Sequence, residues 1–152
     1  RHSSSAASDV YKRQLYLYLI SHHRPEIKTH TYIGCTENFL KRLNQHNGLE
    51  AGGPRITKRA AGSWEPVIII KIHDGAEVKS KDLKKEWKQS SRGLESRIRR
   101  GIEIAVKNSL QLVMPKNKNS NIPIIKYINE HWEGEKVHMN DQQWQRVLSS
   151  DL

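Results

Sequence analysis

Two short runs of strand-forming residues, "LYLYLI" (15–20) and "TYIGC" (31–35), stand ten residues apart and restrict the fold more than any other feature of the chain. The intervening "SHHRPEIKTH" carries a proline and turn-forming polar residues, so the two runs read as a β-hairpin with a long loop. "FLKRLNQHN" (39–47) follows almost at once with helical spacing, Thr36 or Asn38 available as its N-cap and Gly48 where a helix stops. Phe39, Leu40 and Leu43 are expected to form its buried stripe.

The rest of the chain continues the alternation. "GLEAGGPRITKRAAGSW" (48–64) reads as a Gly-rich basic loop, and "EPVIIIKI" (65–72) as an apolar central strand. Residues 81–113 read as two helices broken near Ser90–Gly93, 114–123 as a loop, and "IIKYINEHW" as a last apolar segment. The order β–β–α–β–α–α predicts an α+β domain with a short three-stranded antiparallel sheet flanked by helices. With 152 residues one core is expected. The small polar opening "RHSSSAASDVYKRQ" (1–14) is expected to stay outside it as a non-native or disordered leader, with the catalytic unit over 15–113 and 114–152 as an extension packed on it.

Charge selects the partner. Twenty-six Lys and Arg against sixteen Asp and Glu give a formal net charge of +10, which favours a polyanion, nucleic acid ahead of a membrane surface. No apolar run approaches the roughly 20 residues of a spanning helix. A single cysteine, Cys35, excludes an internal disulfide and any Cys-based zinc module, and it is expected to be packed and inert. His22, His23, His30, His73, His131 and His138 show no metal-ligand spacing.

The hairpin and its helix carry the chemistry. Arg42 and His46 lie four apart, so they stack on one helix face, and Tyr32 ends a strand whose neighbour carries Tyr18. Two phenols, a guanidinium and an imidazole on one small surface suit phosphodiester chemistry: Arg clamps a phosphate oxygen, and a phenol or imidazole orients or deprotonates a water. A metal, if one acts there, needs a carboxylate from elsewhere in the chain.

With "LYL" (17–19), "YIGCT" (32–36), Arg42, "HNG" (46–48) and a later helical glutamate, the sequence resembles the GIY-YIG nucleases. "HNG…GGPRIT…W" (46–64), "KEWKQ" (85–89) and "IPIIKYI" (122–128) make it most similar to the structure-specific subfamily that cuts branched DNA. The resemblance implies a divalent-metal-dependent endonuclease of repair or recombination. Tyr18 and Tyr32 would line the site, one of them positioning or activating the attacking water. Arg42 would bind phosphate, and His46 would support a tyrosine or help move a proton. Glu86 would hold a single divalent cation, Mg2+ or Mn2+.

The pattern also departs from the family. Tyr16 stands where the first half-motif has glycine, and Lys85 replaces the apolar residue before the glutamate, which leaves Glu95 in reserve as metal ligand. One cysteine cannot build the Cys-rich zinc domain of the eukaryotic branched-DNA members, so a stand-alone nuclease domain is expected. DNA, probed by shape rather than sequence, is the implied partner, with Asn47, Arg55, Lys58 and Arg59 as candidate contacts and the helical lysines and arginines behind them. A homodimer or a scaffold partner is compatible with this reading. A non-catalytic DNA-binding protein on the same fold is the alternative, and Trp64 and Trp87 are expected in the core rather than as stacking platforms.

Overall fold

The computed structural model describes residues 14–73, 79–117, 119–134 and 136–150. The hairpin forms as the alternation dictates: β1 (Gln14–Ser21) pairs antiparallel with β2 (Thr31–Thr36), and on its other side with β3 (Glu65–His73). Gln14 thus opens a strand, while the rest of the expected leader lies outside the described residues.

The sheet has five strands rather than three, all antiparallel, in the order β2-β1-β3-β4-β5. Strand β4 (Gln111–Pro115) occupies residues that helical spacing assigns to the end of a helix and a loop, and β5 (Lys136–His138) adds the far edge. The physical cause lies at Ser109, whose φ of 53° takes the backbone into the left-handed region and ends the preceding helix. Leu110 N–H then bonds to the Ala105 carbonyl at 2.8 Å, and the released chain pairs Leu112 with Ile70 of β3.

Alternation sends the side chains of β1 to two different cores. Leu17 and Leu19 enter the larger one, with Ile33, Ile68, Ile70 and Ile72 of the neighbouring strands. Four helices cover that face: α2 (Ser80–Gln89), α3 (Leu94–Lys107), α4 (Pro123–His131) and α5 (Asp141–Ser149). A register shift between Leu19 and Ile20 against β3 lets both Val67 and Ile68 join it. Trp87 is fully buried, its indole N–H on the Arg97 carbonyl at 2.8 Å. Its ring lies where a side chain on Gly101 would sit, so α2 and α3 approach closely only because residue 101 is glycine.

Tyr18 and Ile20 point to the opposite face, into a smaller core with Ala60 and Trp64. This face is covered by α1 (Phe39–His46) and a 3₁₀ helix (Arg55–Ala60). Asn38 caps α1, its side chain accepting from Lys41 N–H at 3.1 Å, and Thr36 Oγ1 in turn accepts from Asn38 N–H at 3.2 Å. Phe39 and Leu43 pack inward as expected from their spacing, but Leu40 is 73% exposed. With only two turns, α1 has room for a narrow stripe, and residue 40 falls beyond it.

Candidate active site

The site grows from the small core. The β1–β2 register sets Tyr18 directly opposite Gly34, and the tyrosine side chain lies across that glycine. A Cβ at residue 34 would overlap the Tyr18 hydroxyl and its ring carbon Cζ, so the glycine of "YIGCT" is what lets the phenol lie flat over its partner strand. Tyr16, two residues earlier, faces Thr36 and is only half-buried, whereas Tyr18 is 1% exposed. Tyr18 is therefore the tyrosine that reaches the helix.

There it meets His46. The Tyr18 hydroxyl lies 2.6 Å from His46 Nε2, and His46 Nδ1 lies 2.9 Å from Thr57 Oγ1. The Thr57 hydroxyl donates its own proton to the Pro54 carbonyl at 3.0 Å, so it can only accept from the imidazole. His46 consequently carries its proton on Nδ1, and Nε2 presents a lone pair to the Tyr18 O–H. Four groups in a row have their donors and acceptors assigned by this one commitment at Pro54.

Burial keeps this line neutral. It raises the Tyr18 phenol above its ordinary value, although the Arg42 guanidinium hydrogen-bonds to it and pulls the other way. Burial likewise pushes His46 down to about 4, helped by the positive charge of Arg42. At neutral pH a phenol faces a neutral imidazole.

Tyr32 and Arg42 form the open side. The Tyr32 ring sits 4.8 Å from that of His46 and 6.3 Å from that of Tyr18, and its hydroxyl bonds to no other described residue. Arg42 Nη1 donates to Gln45 Oε1 at 3.0 Å and to the Gly52 carbonyl at 3.3 Å, and the guanidinium also faces the Tyr18 hydroxyl. Tyr32 and Arg42 are partly exposed, unlike Tyr18 and His46.

The loop after α1 is tied down by Asn47. Its Oδ1 accepts from Gly62 N–H at 3.1 Å and Trp64 N–H at 2.9 Å, and its Nδ2 donates to the Trp64 carbonyl at 3.0 Å. Trp64 Nε1 reaches back to the Thr57 carbonyl at 2.9 Å, closing the 3₁₀ helix onto the site. Arg55, Lys58 and Arg59 are exposed on that helix. His22 is also buried, bonded to the Thr29 carbonyl and the Arg24 N–H, and thereby holds the hairpin loop in shape.

Among the described residues Glu86 shares no hydrogen bond or ion pair with this cluster. It sits on α2, the helix that packs against β2, with its carboxylate 3.6 Å from Arg100 Nη2. Glu95 pairs with Arg99 at 3.8 Å on α3. Among the described residues no three His, Cys, Asp or Glu side chains come together as a metal cage. Cys35, whose thiol burial raises, packs against the larger core with the Ser80 hydroxyl beside it. Neither Thr57 nor the steric role of Gly34 is signalled in the sequence by periodicity or charge.

Comparison with known proteins identifies the family of the chain. Residues 14–97, more than half of the chain, match the family model described as the GIY-YIG catalytic domain. Over 88 residues the chain is 34% identical to the structure-specific endonuclease subunit SLX1 homolog of Leishmania infantum, a match covering 58% of this chain and 12% of the relative. The structure-specific endonuclease subunit slx1 of Aspergillus terreus is 38% identical over 56 residues, 37% of this chain and 14% of that protein. Its Aspergillus oryzae counterpart is 44% identical over 43 residues, 28% and 11% respectively. The matched segment spans about an eighth of the length of the curated relatives.

Proposed function

The chain belongs to the GIY-YIG catalytic-domain family, and from that premise we propose that it is an endonuclease hydrolysing DNA phosphodiester bonds, selective for branched or flapped DNA. The observation that carries the reading is the hydrogen-bonded line Tyr18–His46–Thr57–Pro54 set beside the partly exposed Tyr32 and Arg42. A fold kept only for binding has no need of a buried phenol and imidazole with assigned protons.

Burial divides the roles. Tyr32 and Arg42 are the side chains open to a phosphate, so Arg42 binds a non-bridging oxygen and Tyr32 orients the attacking water. Tyr18 and His46 are positioning residues that act through Tyr32, because neither reaches solvent. Water oxygen forms the new bond to phosphorus and the bond to the 3′ oxygen breaks; the proton lost by water passes to bulk solvent by way of the Tyr32 hydroxyl, and the departing 3′ oxygen takes up a proton from solvent.

A divalent cation is part of the proposal. A lone, partly exposed carboxylate fits Mg2+ or Mn2+ that keeps most of its waters, and Glu86 has that character, with Glu95 second. When bound, the ion would supply Lewis-acid stabilisation of the scissile phosphate. Glu86 must let go of Arg100 or share it, which is the one observation that favours the non-catalytic alternative.

The test compares the protein with Glu86→Gln on labelled duplex, 5′-flap and four-way-junction DNA, with Mg2+, Mn2+ or EDTA. Metal-dependent cutting of the branched substrates, lost in Glu86→Gln with binding retained, supports the reading. Binding without cutting under every metal supports the non-catalytic alternative, and cutting that survives in Glu86→Gln moves the metal to Glu95.

A further inference from the structure

Helix α2 carries four lysines, Lys81, Lys84, Lys85 and Lys88, at positions i, i+3, i+4 and i+7. That spacing places them along one ridge, while Leu83 and Trp87 bury the opposite side against the sheet. Lys81, Lys85 and Lys88 are exposed and Lys84 is partly so, and together they rim a shallow depression on the surface. Like charges at these intervals repel and weaken a helix. Asp82 lines the same depression and offsets part of that charge, but among the described residues none of the four lysines forms an ion pair, and Glu86 of the same helix is engaged by Arg100.

The ridge also has a defined place relative to the site. Strand β2 is the edge of the sheet, with Tyr32 on one of its faces. Helix α2 crosses the other face, where Ser80 lies beside Cys35. The ridge and the site with Arg42 and the 3₁₀ helix thus belong to opposite faces of the sheet, and the β2 edge is the border between them. Seven helical steps make a ridge about 10 Å long. Phosphates of one DNA strand recur about every 3.4 Å along the axis, so about three of them match it.

We propose that Lys81, Lys84, Lys85 and Lys88 form a second phosphate-binding track that holds a duplex arm of the substrate beyond the cleavage site. The proposal rests on the DNA reading above. Such a track binds without reading sequence and adds affinity in proportion to the counterions it releases.

The test is the salt dependence of binding to labelled duplex and 5′-flap DNA between about 50 and 200 mM salt. Three proteins are compared: the unaltered chain, the ridge variant Lys81→Gln/Lys85→Gln/Lys88→Gln, and a control variant Lys107→Gln/Lys126→Gln/Lys136→Gln. The control loses the same charge from exposed positions on α3, α4 and β5. Circular dichroism verifies that each variant keeps its helices. The ridge variant should bind at least about tenfold more weakly at the lowest salt, with the slope of log K against log salt shallower by about two to three, while the control stays within about twofold. Equal behaviour of the two variants overturns the track and leaves the DNA reading standing. Failure of the unaltered protein to bind either DNA overturns both.

Discussion

The Tyr18 hydroxyl and His46 Nε2 lie 2.6 Å apart across 28 residues of sequence, and this contact joins the first strand of the hairpin to the helix that follows it. Because both groups are buried, each is the other's replacement for water. Their partnership ties the strand to the helix at the centre of the site.

Tyr18→Phe should therefore leave the His46 lone pair unpaired in the small core and cost about 1–3 kcal/mol of stability. Chemical denaturation measures it. Unchanged stability would show that the bond contributes nothing beyond packing.

Thr57 assigns the proton of His46, so Thr57→Val should release the imidazole to its other tautomer and lower kcat about tenfold or more, with KM little changed. Thr57→Ser, which keeps the hydroxyl, should restore most of the rate. Equal loss in both variants would mean that Thr57 matters only for its shape.

The depressed pKa of His46 predicts an acid-sensitive fold. The unfolded chain protonates this residue near 6.5 and the folded chain only near 4, so between those values the unfolded state binds more protons. The contribution of His46 is complete above pH 6.5 and is lost as the pH falls toward 4, a difference on the order of 3 kcal/mol. Stability measured against pH should fall less steeply over that interval in His46→Gln than in the unaltered protein.

Gly34→Ala places a methyl group in the space of the Tyr18 ring. Overpacking of this kind costs about 1–3 kcal/mol, and the displaced phenol should also forfeit cleavage. Thermal unfolding and a cleavage assay on the same preparation check both effects.

Asn47 makes three hydrogen bonds to the backbone at Gly62 and Trp64, so Asn47→Ala should loosen the loop rather than weaken DNA binding alone. Hydrogen exchange at the amides of Gly62 and Trp64 should accelerate about tenfold or more, which corresponds to roughly 1–3 kcal/mol.

What could be read from the sequence was local. Arg42 and His46 share a helix face because they are four apart, and "LYLYLI" and "TYIGC" alternate strongly enough to form the hairpin that brings Tyr18 and Tyr32 beside them. Thr57 sits 11 residues from His46 across a Gly-rich loop with no periodicity, so nothing in the sequence aims its hydroxyl at the imidazole. Strand β4 was hidden because "IAVKNSLQLV" keeps helical apolar spacing through Ser109, where no glycine marks the left-handed turn. The exposure of Leu40 shows the converse, a residue with helical spacing on a helix too short to bury it.

In the proposed reaction Tyr32, partly open to solvent, works on the substrate while Tyr18, buried against His46, holds a positioning role. Single-turnover cleavage of a 5′-flap substrate by Tyr32→Phe, with binding followed on the same DNA, tests this most directly. The rate should fall by about 100-fold or more with affinity nearly unchanged. Cutting by Tyr32→Phe at the rate of the unaltered protein would contradict it.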